Sequence, residues 1–339
     1  MSRRGSQTFV YDCAPRIAAR TSIAGPKEGK GPLGDEFDVV LEDDLLGMKS
    51  WELAEGEMVR QAVEMTAQKA NLPLDQVQLM ISGDLNNQII ASSFAARALG
   101  VPFFGQYGAC STFVQSLVLG AALICGGFVE NAVCCASSHF CTAERQFRFP
   151  LEMGTQRPPQ ASWTATACGC ALLTQGTGGD GLRVTAGTVG RVVDLKIKDA
   201  NHMGAAMAPA VYDTIAAHLA DMGRTSADYD LIATGDLGWI GRNLLVELFR
   251  RGGLDMPDAR LIDCGNSLFY QEQDAHAGGS GCGCVAAVSC GWLMKRIESG
   301  ELRRVLIAGS GAMLSPTSTQ QGESIPSISY AVCIEGGKV

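Results

Sequence analysis

The sequence predicts an α/β protein made of two duplicated halves, in which strands and helices alternate over mostly parallel sheets. Two pairs of matching segments support this prediction. Segments 72–88 and 223–239 each combine a turn containing an acidic residue, a buried strand and Gly-Asp-Leu. Segments 108–138 and 279–311 each begin with glycine and cysteine, then continue as a buried helix, an acidic turn and an apolar strand. The period of about 150 residues excludes solenoid repeats, whose units are about 20–50 residues long.

Helices are expected before each repeated strand and in the middle of the molecule. Segments 51–70 and 207–223 carry apolar residues at roughly helical spacing, which predicts the helices that precede the two strands. The helices that start at Cys110 and Cys282 are apolar nearly all round, so they should be buried on every side. Two halves with central buried helices predict a five-layer α/β/α/β/α sandwich.

The two halves are expected to be residues 1–178 and 179–339. The boundary falls in the glycine-rich turn 174–184, where no linker, low-complexity tract or charge block separates the halves. The spacing of the second pair of segments agrees with this division. From Cys110 to Val133, and again from Cys282 to Val305, the distance along the chain is 23 residues.

Composition restricts the partners and the compartment. A net charge of −8 without an extended basic cluster argues against nucleic acid. The N-terminus has no apolar signal-peptide core, and the longest apolar stretch, 117–129, is too short to span a bilayer. We therefore expect a cytoplasmic protein, or one that reaches a membrane only through partners. Its 13 cysteines are then expected to be reduced and mostly buried, and their spacing gives little support for zinc.

Cys110 is the first candidate functional residue. It follows Gly108 and Ala109 and precedes a long apolar helix in the stretch GACST. The N-terminus of a helix offers unpaired N–H groups and a positive dipole end, both of which favour a thiolate. The sequence thus raises the question of whether Cys110 is a working nucleophile.

A family resemblance follows from a long, ordered set of motifs. The chain resembles the thiolase superfamily and, more closely and nearly end to end, the stage V sporulation protein AD family of spore-forming bacteria. The motifs are AGPKEGKGPLG (24–34), SGDLNNQ (82–88), GACST (108–112), SSHFCTAERQFRFPLEMG (137–154), VGRVVD (189–194), MGAAMAPA (203–210), GGSGCGC (278–284) and LSPTSTQQGESIP (314–326). The resemblance implies a thiolase-like five-layer sandwich.

The resemblance also implies a function in sporulation. Family members bind dipicolinic acid in the pocket where thiolases hold substrate, and they serve its uptake, with calcium, into the developing spore. The implied partners are integral-membrane sporulation proteins of the same uptake complex, which places the chain in the cytoplasm or peripherally at the forespore inner membrane. A homodimer formed through an edge strand is implied as well. No cofactor is expected beyond calcium as the dipicolinate chelate.

The acyl-transfer machinery of the superfamily is incomplete in this sequence. Where thiolases carry Asn-Glu-Ala and related condensing enzymes carry histidine, this chain has Asp236. An ionised aspartate cannot donate a hydrogen bond to an oxyanion. His276 falls roughly where thiolases have Gly-His-Pro, but the proline is missing. This pattern favours binding over turnover. The alternatives are a Cys110-dependent acyltransferase or condensing enzyme acting on an acyl thioester, and a scaffold protein with a vestigial pocket.

Dipicolinate is a flat dianion and needs hydrogen-bond donors. Arg145 and Arg148, three residues apart, could pair with a carboxylate, although an ion-pair network with Glu144 explains them equally well. The helix N-termini at Cys110 and Cys282 would add N–H groups.

The remaining candidates are carboxylates and histidines. Calcium would be held mainly by the ligand, with one carboxylate from Asp84, Asp236 or Asp263, among which spacing does not decide. His139 follows a strand end and is either a ligand-binding or a structural histidine, and His276 is either part of the pocket or a loop residue.

Overall fold

The computed structural model describes residues 2–147, 157–176 and 181–337. Its strands are β1 (Ser2–Arg4), β2 (Thr8–Val10), β3 (Arg16–Ala24), β4 (Val39–Val40), β5 (Met80–Gly83), β6 (Phe103–Gly105), β7 (Asn131–Ser138), β8 (Trp163–Thr164), β9 (Ala167–Thr174), β10 (Arg183–Val189), β11 (Leu231–Thr234), β12 (Leu261–Asp263), β13 (Gly279–Ser280), β14 (Arg304–Ala312) and β15 (Ser327–Glu335). Its helices are α1 (Trp51–Lys69), α2 (Ile90–Leu99), α3 (Thr112–Cys125), α4 (Phe140–Phe147), α5 (Met203–Met222), α6 (Gly238–Arg251), α7 (Cys264–Leu268), α8 (Cys282–Val288), α9 (Met294–Glu298) and α10 (Pro316–Gln320).

The sheet topology repeats itself. One half has the strand order β3-β9-β7-β5-β6, and the other has β10-β15-β14-β11-β12. In both halves the first repeated strand pairs in parallel with its neighbour, β5 with β7 and β11 with β14, while β9 and β15 run antiparallel. Two antiparallel pairings join the halves: β10 pairs with β3 between Arg183 and Arg16, and it pairs with β2 over three residues. The equivalent order and direction of the strands confirm the duplication predicted from the sequence.

The helices form three of the five layers. Helices α1 and α2 pack on one face of the first half's sheet, and α5 and α6 pack on one face of the second half's sheet. Helix α3 contacts both β7 and β15, and α8 lies against β7 and β9, so these two helices fill the space between the sheets. Three separate apolar clusters occupy the central layer and the two outer interfaces. This arrangement confirms the predicted five-layer α/β/α/β/α sandwich.

The longest apolar stretch of the sequence lies in this central layer. Most of segment 117–129 belongs to α3, where Leu117, Ala121 and Ile124 are fully buried between the sheets. Its hydrophobicity therefore reflects contact with protein on all sides. In the described part of the chain, no helix has both the length and the apolarity needed to cross a bilayer.

The cysteines depart from expectation at one pair. Cys13 and Cys125 form a disulfide, with their Cα atoms 5.8 Å apart, a separation that suits such a bond. The expectation of reduced cysteines is wrong for this pair, because folding brings together two positions that are far apart in sequence. The other cysteines are free, and all of them except Cys141 are buried, as expected. The predicted boundary at residue 178 lies outside the described residues.

The central layer depends on a close approach of α8 to β9. A Cβ atom added to Gly169 would lie 2.2 Å from the backbone carbonyl carbon of Ala286. Backbone atoms on both sides of this contact are fixed by sheet and helix hydrogen bonds, so the contact cannot relax as a side chain could. Glycine is therefore required at this position by packing.

We predict that Gly169→Ala lowers the free energy of unfolding by about 3 kcal/mol, the upper end for overpacked cores. Gly56→Ala in α1 is the matched control, because its Cβ would meet the Ala91 carbonyl oxygen at an ordinary 3.4 Å. Removing a helical glycine should stabilise the chain by up to about 1 kcal/mol. Urea denaturation of both variants checks this, and equal midpoints for them would contradict the packing argument.

Candidate functional site

The two repeated cysteines lie at the starts of the central helices. Cys110 precedes α3 and follows Ala109, which has a φ of 49°. Cys282 is the first residue of α8 and follows Gly281, which has a φ of 98°. A left-handed residue before each cysteine turns the chain sharply into the helix, and such strain is typical of functional sites. The duplication thus places two thiols between the sheets.

Asp236 connects the two halves at this point. It follows β11 in the repeated Gly-Asp-Leu, and its carboxyl lies close enough to the Cys110 thiol to raise the pKa of that thiol. The Gly281 N–H donates to Asp236 Oδ2 at 2.8 Å, and the Ser310 hydroxyl donates to Oδ1 at 2.7 Å. The aspartate is fully buried. One carboxyl therefore organises the entrance to both central helices.

This environment opposes formation of a Cys110 thiolate. Burial raises the pKa of the Asp236 carboxyl to about 7. Burial, followed by the charge of Asp236, raises the pKa of the Cys110 thiol well above its usual value. The prediction that the helix N-terminus favours the thiolate is wrong, because the dipole effect is at most about 2 kcal/mol and both desolvation and a neighbouring carboxylate act against it.

His276 lies in a cleft whose lining does not include Cys110. Its Nε2 atom is 3.3 Å from Asp274 Oδ1, and its neighbours include Trp239, Phe269 and Tyr270.

The groups that most strongly shift the pKa of Cys110, after burial, are Asp236 and Cys282. Cys110 therefore has a carboxyl neighbour, and a carboxylate disfavours a thiolate, whereas the protonated histidine of a condensing enzyme stabilises one.

Asp263 supports the turn that carries Asp236. Its carboxylate accepts hydrogen bonds from the Thr234 hydroxyl at 2.7 Å, the Leu237 N–H at 2.8 Å and the Gly238 N–H at 3.1 Å. Burial raises its pKa, and these bonds act in the opposite direction. Asp263 therefore positions the loop after β11.

A further buried carboxyl group, Glu55 on α1, was missed by the sequence analysis. It accepts hydrogen bonds from the Ser137 hydroxyl at 3.0 Å, the Thr142 hydroxyl at 2.8 Å and the Asn86 side-chain amide at 2.8 Å. Burial, followed by the charge of Asp84, raises its pKa to about 8. A signal was present in the sequence, because Glu55 shares the buried face of α1 with apolar residues three, four and seven positions later.

Asp84 is the first-half counterpart of Asp236. Its carboxylate accepts hydrogen bonds from the backbone N–H groups of Asn86, at 3.0 Å, and Ser92, at 2.8 Å. Burial raises its pKa. No group of three or more His, Cys, Asp or Glu side chains in the described residues is arranged to hold a metal ion. Asp84, Asp236 and Asp263 are instead occupied by hydrogen bonds within the protein.

The amide cleft is an opening close to Cys110. It has a volume of about 470 Å³ and is lined by the amide side chains Asn86, Asn87, Gln88, Gln106 and Gln146, together with Leu85, Ile89, Gly105, Tyr107, Phe147, Met313, Leu314, Ser315 and Pro316. It lies where β5, β6 and β14 end, the position at which α/β sheets bind ligands. Tyr107 lies on its wall, and burial together with the Cys110 and Cys282 thiols raises the Tyr107 pKa. Tyr107 thus connects the wall of the cleft with the surroundings of Cys110 and Cys282, which do not themselves line it.

Backbone strain marks the loop that forms one wall of the amide cleft. Gln88 has a φ of 56° and Ile89 a φ of 50°. A β-branched residue in the left-handed region is a genuine outlier, and such residues cluster at ligand-binding segments. The loop starts directly after Asp84 and Leu85, so the first Gly-Asp-Leu leads into the cleft wall.

Arg145 and His139 are the other predicted site residues in the first half. Arg145 forms an ion pair with Glu52, and both line a continuation of the amide cleft that shares Asn86, Asn87 and Gln146. His139 is buried, and its Nε2 is 2.8 Å from the Asp44 carbonyl oxygen. Burial lowers its pKa, so its contacts are those of a structural histidine. Arg148 lies outside the described residues.

The fold defines the class of protein to which this chain belongs. Two duplicated halves, with cysteines at the starts of the central helices, form a thiolase-like protein. Solved structures agree. Cerulenin-bound OleA from Xanthomonas campestris matches with a TM-score of 0.64 at 16% identity, covering 99% of this chain and 100% of that chain. AbyA1, a tetronic acid condensing enzyme, matches with a TM-score of 0.62 at 15% identity, covering 95% of this chain and 100% of that chain. At these identities the likeness concerns the fold alone.

The sequence comparisons define the family. The family model for stage V sporulation protein AD matches residues 5–335. Stage V sporulation protein AD of Bacillus subtilis (strain 168) is 42% identical over 335 residues, which cover 99% of this chain and 98% of that protein. The chain belongs to the stage V sporulation protein AD family, as the motifs predicted, and is a sporulation protein with a thiolase-like fold.

We predict a pH-dependent cost of burying Glu55. Its pKa of about 8 in the folded chain exceeds the ordinary value of 4.5, so the folded state binds more protons between these values and wild-type stability falls as pH rises from about 5 to 8. Glu55→Gln keeps the shape and removes the titration. The free energy of unfolding of the variant should therefore increase relative to that of the wild type between about pH 5 and 8, by on the order of 3 kcal/mol.

Urea denaturation at pH 5, 6.5 and 8 checks this prediction. Glu64→Gln, at a more exposed position on the same helix, is the control and should show a nearly constant difference from the wild type. A Glu55→Gln difference that stays constant from pH 5 to 8 would show that Glu55 is ionised in the folded chain and would contradict the prediction.

Proposed function

We propose that this chain binds dipicolinic acid, free or as its calcium chelate, and serves its uptake into the developing spore without acyl-transfer turnover. The observation that carries the proposal is the amide cleft near a buried Cys110 whose surroundings oppose formation of the thiolate. Membership of a sporulation family supports the biological setting. On this proposal the chain keeps the pocket of the thiolase-like fold and uses it to bind a ligand, without catalysing acyl transfer.

The electrostatics around Cys110 favour binding over turnover. An acyl-transfer nucleophile needs a lowered thiol pKa or an adjacent base, and the developing oxyanion needs free N–H donors. Here Asp236 raises the Cys110 pKa. It also takes the Gly281 N–H that would otherwise point to an oxyanion. The Gly283 N–H is likewise bonded, to the Ser138 hydroxyl at 3.1 Å.

The amide cleft and its continuation suit a small polar anion. The side-chain amides of Asn87 and Gln88 can donate hydrogen bonds to carboxylate oxygens, whereas those of Asn86, Gln106 and Gln146 already donate within the protein. Arg145 provides a guanidinium that can exchange its partner Glu52 for a ligand carboxylate. Amide oxygens such as those of Asn87 and Gln88 are also suitable ligands for the calcium of a chelate. Ligand carboxylates and calcium would then share one amide-rich surface.

The proposal places the chain beside integral-membrane partners at the forespore inner membrane. In such an arrangement the membrane proteins provide the passage, and this chain supplies the ligand-binding site.

We predict that calorimetric titration detects saturable dipicolinate binding at micromolar to millimolar affinity. Arg145→Gln should weaken it by about tenfold, because a charge-assisted hydrogen bond is lost. Arg250→Gln is the matched control, since Arg250 is also paired with a glutamate on the surface of a helix. Titration with and without calcium identifies the species that binds. Absence of heat under both conditions would refute the proposal.

An acyltransferase is the competing function, and the position of Cys110 at the start of α3 is the observation that favours it. Intact-mass analysis after incubation with acyl-CoA separates the two functions. A mass increase in the wild type that is absent in Cys110→Ala would establish a nucleophile and overturn the binding proposal. On the binding proposal no adduct forms, and Cys110→Ala weakens dipicolinate binding only modestly.

We propose in addition that two copies pair along β6. This strand ends the first half's sheet, and it exposes Phe104 at 50% of its surface, with Phe94 and Tyr107 also exposed nearby. An open strand edge beside aromatic surface is a template for pairing with another strand. A two-fold dimer would cover both features.

We predict that the wild type is dimeric in light scattering coupled to size exclusion and that Phe104→Glu shifts it to monomer. Phe128→Glu is the matched control, because Phe128 is exposed at 79% but lies in the turn after α3, away from β6. A monomeric wild type, or equal dissociation by both variants, would refute pairing along β6.

A further inference from the structure

The second half carries a cleft that the proposed function does not use. This aromatic cleft has a volume of about 300 Å³ and is lined by Trp239, Phe269, Tyr270, Asn266, His276 and Gly278, with Gln271 and Ala275. None of these residues lines the amide cleft. It is formed where α6 begins, against the loop between α7 and β13.

Asn266 is the unusual polar group of this cleft. Both atoms of its side-chain amide are buried, and neither has a hydrogen-bond partner among the described residues. Its backbone N–H, by contrast, donates to Asp263 Oδ1 at 3.1 Å. A buried, unpaired amide is costly, and each such group in a native protein calls for an explanation such as an absent ligand. Here the amide lies against Gly278, which is also part of the cleft wall.

The lining defines the chemistry of the occupant. Trp239 and Tyr270 are exposed at 56% and 52%, and with Phe269 they offer ring faces that suit a flat aromatic molecule. No Lys, Arg, Asp or Glu is among the lining residues, which favours an uncharged ligand. The Asn266 amide presents one acceptor and one donor side by side, so it is satisfied by a ligand edge that carries both.

The loop that closes the cleft is strained. Asp274 has a φ of 54° and His276 a φ of 51°. His276 is held near Asp274, with 3.3 Å between Nε2 and Oδ1, and the Gln273 side chain ties the loop to the Lys27 carbonyl oxygen at 2.7 Å. The loop is thus fixed from both sides in a conformation that costs energy, as in a preformed binding segment.

We infer that the aromatic cleft is a second small-molecule site, for a flat, uncharged aromatic ligand whose edge carries a carboxamide-like donor and acceptor. Asn266 pairs with that edge, and the rings of Trp239 and Tyr270 contact the ligand's faces. Dipicolinate does not fit this site, because the dianion is charged and lacks a donor. The inference is therefore independent of the proposed function.

Benzamide and benzoate are matched probes for the test. They have nearly the same shape, but only benzamide is uncharged and carries a donor beside its acceptor. Saturation-transfer NMR on the full chain should show saturable binding of benzamide, and benzoate should bind at least about tenfold more weakly, because a site built around a hydrogen-bonding pair rejects an analogue that leaves it unpaired.

Two variants locate the binding. Asn266→Ala and Tyr270→Ala should each weaken benzamide binding by about tenfold. The exposed Asn243 on α6 provides the control, and Asn243→Ala should leave binding unchanged. Thermal melts identify any variant that fails to fold, and Tyr270 is exposed enough that its replacement leaves the core intact.

The possible results separate this inference from the dipicolinate proposal. Benzamide binding that is lost in Asn266→Ala, with dipicolinate affinity unchanged, supports the second site. Absence of benzamide binding, equal binding of benzoate, or full binding by folded Asn266→Ala would overturn it, whatever the dipicolinate titration shows. Competition between the two ligands would also overturn it, because it would place both in one cleft.

Discussion

The buried carboxyl of Asp236 is the contact on which the site depends. It is carried by the loop after β11, yet it acts on the Cys110 thiol at the start of α3 and accepts a hydrogen bond from the Gly281 N–H at the start of α8. Burying a carboxyl without such partners would cost several kcal/mol. The buried carboxyl is tolerated only while both central helices begin beside it. The relative position of the two halves and the structure of the site therefore depend on the same contacts.

The same constraint explains why the thiolase-like fold does not imply acyl transfer here. A histidine in place of Asp236 would become a cation on taking the proton of Cys110 and would stabilise the thiolate, whereas the Asp236 carboxylate becomes neutral when protonated and disfavours the thiolate while it is ionised. The N–H groups at the start of α8 are likewise bonded to Asp236 and Ser138. Helix N-termini attract anions only while their N–H groups are free. The chemistry is therefore decided by the partners of these groups, while the fold leaves it open.

A feature could be predicted from the sequence when it depends on residues that lie close together in the chain. The five layers could be predicted because the duplication and the helix periodicities are local patterns, written twice in the chain. The high pKa of Cys110 could not, since it depends on Asp236 and on burial between sheets. The Cys13–Cys125 disulfide and the separation of His276 from the amide cleft also depend on tertiary contacts. Glu55 was predictable in part, because the sequence shows its position on the apolar face of α1 but not its hydrogen-bond partners.

Divergence between the halves is most evident at the two Gly-Asp-Leu motifs. Asp84 and Asp236 occupy equivalent places after β5 and β11, but Asp84 accepts two backbone N–H groups beside Glu55, whereas Asp236 accepts one backbone N–H and a serine hydroxyl beside Cys110. The segment after Asp84 forms the strained, amide-rich wall of one cleft, and the segment after Asp236 delivers Trp239 to another. Because the scaffold fixes where each loop emerges, a few substitutions in these loops are sufficient to give one duplicated fold two chemically distinct surfaces.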